Sequence, residues 1–241
     1  MDMNMIMAAV IGFGAALGLM YMVLRKYTYP AVEQPFFSDP TFFKLFTVGL
    51  VIGTLSFVLY TFFQAAWSSI ILAVAFAMVF ELAKLVVLNL KRFHGKSDTV
   101  FYGFGIGIGA GCSFAFGFVF YGASNIDDLL EGADMIMWLL FGVIAIQTVL
   151  LHSATGMTIG EGIARRRPFE FLMQALIIGV SYQLLMSQVW ANHSDLLPYA
   201  FLILSLLLAI GYFYHIVYMK LPRVIRDILR MEGKSRKDIP L

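Results

Sequence analysis

The sequence predicts an all-α membrane protein, folded as a bundle of about seven transmembrane helices. Hydrophobic residues make up 60% of the chain and charged residues only 13%, and the mean hydropathy is +0.83. A soluble domain of this composition would aggregate in water, so that class of protein is excluded. The apolar residues form long stretches, and the basic residues collect in the loops between them.

A helix needs about 20 mostly apolar residues to cross about 30 Å of hydrocarbon. Seven stretches meet this requirement: residues 3–24, 45–63, 67–90, 100–122, 135–160, 169–190 and 198–219. The first stretch lacks a basic leading region and a small-residue cleavage site, so we expect a retained span and not a removed signal peptide. We predict a membrane domain over residues 1–220 and a basic tail over residues 221–241.

The basic residues predict the orientation of the bundle. Of the 17 Lys and Arg residues, all except Lys84 fall in alternate loops or in the tail. Because cytoplasmic loops carry the excess of Lys and Arg, we expect an outside N-terminus and a cytoplasmic C-terminus. Trp67, Trp138 and Trp190 fall at the predicted outer boundary, where indole rings favour the interface. One outer loop is acidic, with Asp127, Asp128, Glu131 and Asp134.

The tail contains an amphipathic pattern over Leu221–Met231. Its apolar residues recur at helical spacing, and Arg223, Arg226 and Arg230 lie among them. Two interpretations fit this pattern: a short helix that lies on the inner leaflet, or a solvated anchor that only fixes the topology.

Glycine dominates the fourth stretch, in two rows of small residues with a spacing of four. The rows are Gly103, Gly107, Gly111 and Ala115, and Gly105, Gly109, Ser113 and Gly117. Such rows let helix backbones approach closely, so we predict close packing on both faces. The apolar context and the missing strand exclude a nucleotide-binding glycine loop.

Glu81 and Lys84 are the ionisable pair within the third stretch. Their spacing of three places them on one helix face. An ionised group at the centre of a transmembrane helix costs about 2.5–3.5 kcal/mol on insertion scales, and such groups usually mark functional sites. The alternative is a Lys84 side chain that extends to the cytoplasmic surface, with Glu81 only neutralising it.

Two histidines lie at a similar depth. His152 and His215 each come about 17 residues into their spans, counted from the outer face. His152 is followed by small and polar residues that could line a cavity or permit close packing. Glu81, His152 and His215 could in principle bind zinc, although spacing alone does not show that they converge. We expect no cofactor otherwise.

Three segments, in this order, resemble the PrsW-type intramembrane proteases. Glu81-Leu-Ala-Lys84 resembles the family's Glu-Glu-x-x-Lys segment, and Asp98 to Gly109 resembles the Asp and glycine pattern of the next helix. His152, with glycines four and eight residues later, is similar to the later histidine motif. The superfamily includes the CAAX-processing prenyl proteases and the gamma-secretase scaffold subunit. The resemblance implies a helical bundle around a polar intramembrane cavity. We expect the membrane to be the plasma membrane of a prokaryote.

The chain departs from the family pattern at its carboxylates. Phe80 stands where the family has the first glutamate, and Phe114 stands where the next helix has another. Peptide hydrolysis needs a base for water and an acid for the leaving amine. Glu81 and His152 could serve in these roles, with Lys84 holding Glu81 ionised.

Three functions therefore remain open. The first is a peptidase that acts on membrane-embedded substrates through Glu81, His152 and Lys84. The second is an inactive relative that binds transmembrane helices or scaffolds a complex. The third is a proton-coupled transporter or channel, in which Glu81, Lys84 and His215 relay charge. The expected partners are the lipid bilayer and transmembrane helices of substrate or partner proteins, and no nucleic acid.

Overall fold

The computed structural model of the protein describes residues 3–63, 69–125, 135–191, 196–234 and 236–240, without the side chains of residues 190 and 191. In these ranges every regular element is a helix. Seven of the described helical segments are long and apolar enough to cross a membrane. The prediction of an all-helical protein with seven candidate spans is therefore confirmed.

The helices follow one another in chain order with short connections. They are α1 Met3–Leu24, α2 Asp39–Phe62, α3 Ile70–Leu88, α4 Thr99–Ser124, α5 Met135–Ala164, α6 Pro168–Ala191, α7 Leu197–Tyr214 and α8 Leu221–Met231. A single 3₁₀ turn, Lys91–Phe93, lies between α3 and α4. A wider π-helical turn, His215–Lys220, joins α7 to α8.

The largest difference from the predicted boundaries is at α2, which begins six residues before the predicted apolar stretch. Ser38 is extended, and Pro40 lies in the first turn of the helix. Proline is tolerated there because the first helical N–H groups have no partner within the helix, and its fixed φ suits the start of a helix. The helix therefore starts in polar sequence, outside the segment that hydropathy detects.

Helix α4 is the central helix of the bundle, and its two rows of small residues contact different neighbours. Gly103 faces α5, where a Cβ on Gly103 would overlap the carbonyl oxygen of Gly156 and a Cβ on Gly156 would overlap that of Gly103. Gly109 faces α2, where a Cβ would overlap the carbonyl oxygen of Phe46. Both rows thus permit backbone-to-backbone packing, as the sequence predicted.

Successive helices cross the bundle in opposite directions. The loops that carry the basic residues therefore meet at one end, which we name the basic end. There the Gly95 N–H donates to the Ile163 carbonyl at 3.4 Å, and the Ser97 N–H donates to Glu232 Oε1 at 2.6 Å. Trp138 lies in the first turn of α5, at the opposite end. Trp67, the Trp190 side chain and the acidic residues Asp127, Asp128, Glu131 and Asp134 lie outside the described residues.

Helix α8 occupies the segment in which the amphipathic pattern was found. Its apolar residues are buried in the protein core, so they contact the bundle and not lipid. They are Leu221, Val224, Ile225, Ile228 and Leu229. Arg165 fixes α8 to α5, because its guanidinium donates to Glu161 Oε1 at 2.8 Å and to Asp227 Oδ2 at 3.1 Å.

Candidate functional site

The predicted site residues come together between α3 and α5. These two helices run in the same direction, so Glu81 and Lys84 on α3 lie level with His152 and Thr155 on α5. Each pair has the i, i+3 spacing that places side chains on one helix face. The exposed fraction is 1% for Glu81, 0% for Lys84 and 3% for His152. We name these four residues the polar cluster.

The Lys84 ammonium is the hub of the polar cluster. It donates to Glu81 Oε1 at 2.7 Å and to Thr155 Oγ1 at 2.6 Å, and it lies 3.4 Å from His152 Nδ1. Three ammonium protons thus face three acceptors. The Thr155 hydroxyl in turn donates a hydrogen bond to Glu81 Oε1, at 3.1 Å. Lys84 therefore points sideways into the bundle and does not extend towards either surface.

The contact of His152 Nδ1 with the Lys84 ammonium bears on the histidine tautomer. If Nδ1 accepts from the ammonium, the imidazole is neutral and carries its proton on Nε2. Nδ1 lies 3.8 Å from Glu81 Oε1, which is close to the carboxylate but outside hydrogen-bond range. Glu81 and His152 are thus neighbours, and Lys84 contacts both of them.

Two polar atoms of the polar cluster have no hydrogen-bond partner among the described residues. They are Glu81 Oε2 and His152 Nε2, and both are buried. Leaving a buried donor or acceptor unpaired costs about 1–3 kcal/mol, and more for a charged group. Each atom is therefore a position where a water molecule or a polar group of a ligand would be stabilised.

Aromatic rings close one side of the polar cluster. Phe80 stacks on the His152 imidazole, with ring centroids 3.9 Å apart and planes at 12°. Phe114 of α4 packs edge-on against Phe80, with centroids 5.9 Å apart. These are the two positions at which the PrsW resemblance expects carboxylates. On another side, Gly179 of α6 lies against Glu81, because a Cβ on Gly179 would be 3.5 Å from Glu81 Oε1.

A groove between α2, α3 and α6 lies next to these rings and has a volume of about 260 Å³. We name it the lateral groove. Its lining is Leu59, Tyr60, Phe63, Leu72, Ala73, Ala75, Phe76, Val79, Gln183, Met186 and Ser187. Phe76 separates the groove from the polar cluster, because it lines the groove and packs against Phe80, with centroids 5.8 Å apart. No residue of the polar cluster lines the groove.

His215 does not join the polar cluster. It lies in the π-helical turn after α7, where its side chain is exposed. Over the described ranges, no group of three or more His, Cys, Asp or Glu side chains is placed to hold a metal ion. The equal depth of the two histidines along their spans was therefore misleading, because depth does not determine which way a side chain points.

Two residues of the site were not among the predicted site residues: Thr155, which was noted only within the polar run after His152, and Gly179. Thr155 follows His152 by three residues, the same spacing as Glu81 and Lys84, and this repeated spacing could have identified it. No pattern in the sequence indicated that Gly179 lies at the site. The cluster can hold one buried ion pair and two further polar partners, at Glu81 Oε2 and His152 Nε2. In comparisons with models of known protein families, with curated proteins and with solved structures, nothing matches this chain.

Proposed function

We propose that this protein is a catalytically inactive relative of the PrsW-type proteases that binds a transmembrane helix of a partner protein in the lateral groove. In this proposal the polar cluster fastens α3 to α5 and holds one wall of the groove in place. The N-terminus lies outside and the basic end in the cytoplasm, by the positive-inside rule. The proposed membrane is the plasma membrane of a prokaryote.

The lateral groove is suited to an apolar segment from within the bilayer. Its lining is mostly apolar, and Phe63 and Val79 at its edges have exposed fractions of 54% and 50%. It lies between helices that are long and apolar enough to span the membrane, so it opens sideways towards lipid. Either an acyl chain or a transmembrane helix could fill such a groove.

Gln183 is the observation that carries the proposal. Gln183 is a half-buried residue of the groove lining, and its side chain forms no hydrogen bond with another described residue. Gln183 lies eight residues before the end of α6, which is about 12 Å along the helix and places the amide within the hydrocarbon. An acyl chain cannot hydrogen-bond to the amide, and a lipid headgroup at the surface lies too far away. A polar side chain on a transmembrane helix can do so, for about 0.6–2 kcal/mol.

A second copy of this chain does not fit the groove through two-fold symmetry. A two-fold interface joins the same patch of both subunits, so it must be self-complementary. The lateral groove is concave, and two concave surfaces leave a gap between them. A convex helix from a different protein is the complementary shape.

The polar cluster favours a structural role over hydrolysis. Lys84 lies between Glu81 and His152, and Phe80 covers one face of the imidazole. The ionisable side chains are at most 3% exposed, so a peptide bond has no access to them in this arrangement. Hydrolysis would require Phe76 and Phe80 to move away.

An intramembrane peptidase is the second candidate function. The observation in its favour is that Glu81 Oε2 and His152 Nε2 have no partner in the described part of the chain. A water at Oε2 could be activated by Glu81, and the Nε2–H could stabilise an oxyanion or transfer a proton. The helix bound in the lateral groove would then be the substrate.

A synthetic transmembrane peptide tests both functions. The peptide is a Leu/Ala helix with one Gln about 12 Å from its end. Its association with the protein is measured by resonance energy transfer in liposomes. A peptide of the same length without the Gln is the reference. We expect the Gln peptide to bind more tightly, and Gln183→Leu to remove this difference. Ala75→Trp fills the groove and should abolish binding, whereas Ala200→Trp on the exposed face of α7 should not.

The outcomes separate the candidates. Association that is the same in Gln183→Leu and Ala75→Trp as in the unmodified protein would refute binding in the groove. Mass spectrometry of the recovered peptide detects hydrolysis. An intact peptide agrees with the proposed function, while cleavage that disappears in Glu81→Gln, in a variant with unchanged association, would establish the peptidase instead.

A further inference from the structure

The end of α8 and the chain that follows it enclose a strongly basic pocket at the basic end. It has a volume of about 330 Å³. We name it the tail pocket. Its lining is Arg226, Leu229, Arg230, Lys234, Arg236 and Ile239. Four cations thus surround one pocket, with two apolar side chains beside them.

Two of the four cations have no anion to pair with. Arg226 and Arg230 are exposed, and neither forms an ion pair with a described residue. They lie four residues apart on one face of α8, a spacing at which like charges repel. Lys234 pairs with Glu232 at 2.7 Å, and Arg236 pairs with Asp238. The pocket therefore keeps an excess of positive charge.

The fold orders Arg236 and the backbone of α8 that carries Arg226 and Arg230. The buried Leu229 anchors the last turn of α8 in the core. Arg236 donates to the Gln34 carbonyl at 2.7 Å, and its guanidinium lies 3.9 Å from the centre of the Phe36 ring. Groups that are ordered before binding lose less entropy when a ligand arrives.

We propose that the tail pocket binds a phosphate ester, with Arg226 and Arg230 as the principal ligands. A guanidinium presents two parallel N–H groups that match two phosphate oxygens, and two such forks suit one phosphate. An anion between them also relieves their mutual repulsion. Leu229 and Ile239 supply an apolar surface for the carbon skeleton of the ester. The phosphate could belong to a lipid headgroup at the membrane surface or to a small soluble ester.

The test uses the full chain purified in dodecyl maltoside, a detergent without phosphate. Binding of glycerol 3-phosphate and of dihexanoyl phosphatidic acid is measured by calorimetry. We expect Arg226→Gln and Arg230→Gln each to raise the dissociation constant at least about tenfold, because each loses charge-assisted hydrogen bonds. Arg223→Gln is the matched control, since Arg223 is exposed on α8 outside the pocket, and we expect a change of less than about twofold.

The two probes distinguish the sources of the phosphate. Equal affinity for both indicates a soluble ester, and affinity at least about tenfold higher for phosphatidic acid indicates a lipid headgroup. The proposal is overturned if neither probe binds. It is also overturned if Arg223→Gln weakens binding as much as Arg226→Gln, because the effect would then be one of overall charge. Unfolding curves of each variant verify that these exposed substitutions leave the fold intact.

Discussion

The Lys84 ammonium donates to the Thr155 hydroxyl at 2.6 Å, across the interface between α3 and α5. This contact turns an ion pair within one helix into a connection between two helices. A Lys84 that only neutralised Glu81 could have extended along α3 to the surface. Instead its charge is fully buried, and the hydroxyl of α5 completes its hydrogen bonding.

Removing Lys84 alone should destabilise the protein strongly. Lys84→Met leaves Glu81 as an unpaired buried charge, and breaking a buried pair in this way costs about 3–5 kcal/mol. The double variant Glu81→Gln with Lys84→Met removes both charges and should recover much of that loss. Thermal unfolding of the purified single and double variants measures the difference. Additive effects of the two substitutions would show that the pair is not coupled.

The Thr155 hydroxyl should contribute measurably to stability. Thr155→Val keeps the shape but removes a partner from both Lys84 and Glu81, so we expect a loss of about 1–3 kcal/mol. Thr54→Val is the control, because the exposed Thr54 hydroxyl bonds only to the Leu50 carbonyl of its own helix, and we expect about 0.5 kcal/mol or less. Equal losses in denaturation of the two variants would contradict a special role for Thr155.

Close packing of α4 against α5 should be sensitive to one methyl group. A Cβ on Gly107 would overlap the carbonyl oxygen of His152, so Gly107→Ala must push the helices apart, and we expect a loss of about 1–3 kcal/mol or more. A Cβ on Gly18 would contact nothing, and Gly18→Ala should be neutral or stabilising by up to about 1 kcal/mol. Melting temperatures compare the two. A harmless Gly107→Ala would mean that the backbones of α4 and α5 are not in contact at this position.

Asp98 should make stability depend on pH. Burial raises the pKa of this carboxyl above its ordinary value, although Tyr102 and Lys96 act in the opposite direction. A carboxyl with a raised folded-state pKa loses stability as pH rises from the unfolded to the folded pKa. Asp98→Asn removes the buried charge and keeps an acceptor for the Tyr102 hydroxyl. We expect the variant to be more stable than the unmodified protein at pH 7, with the difference disappearing below about pH 3.9, the ordinary Asp value.

Unfolding measured across this pH range checks the Asp98 prediction. The sign of the stability difference is informative. If Asp98 were held in a favourable ion pair, Asp98→Asn would lower the stability at pH 7 and not raise it. If Asp98→Asn is less stable than the unmodified protein at pH 7, the charge of Asp98 stabilises the fold. The inference that burial disfavours the ionised carboxyl would then be wrong.

The seven candidate spans could be predicted from the sequence, since each is long and apolar enough to be found by composition, and α8 could be predicted from its amphipathic spacing. Their ends were harder, because the first turn of α2 lies in polar residues with Pro40. The two small rows of α4 were also visible in the sequence. The sequence does not indicate which neighbouring helix each row contacts, because the spacing of glycines describes one helix and carries no information about its partners.

The amino-acid sequence was enough to predict the helical class, the seven candidate spans, the two packing faces of α4 and the adjacency of Glu81 and Lys84. These properties follow from hydropathy and helical periodicity, which are local. The packing of the helices was needed to establish three further properties: Thr155 completes the polar cluster, His215 lies outside it, and the apolar face of α8 is buried in protein. Each depends on how helices rotate about their axes and on which helices meet, and packing between segments far apart in the chain fixes both.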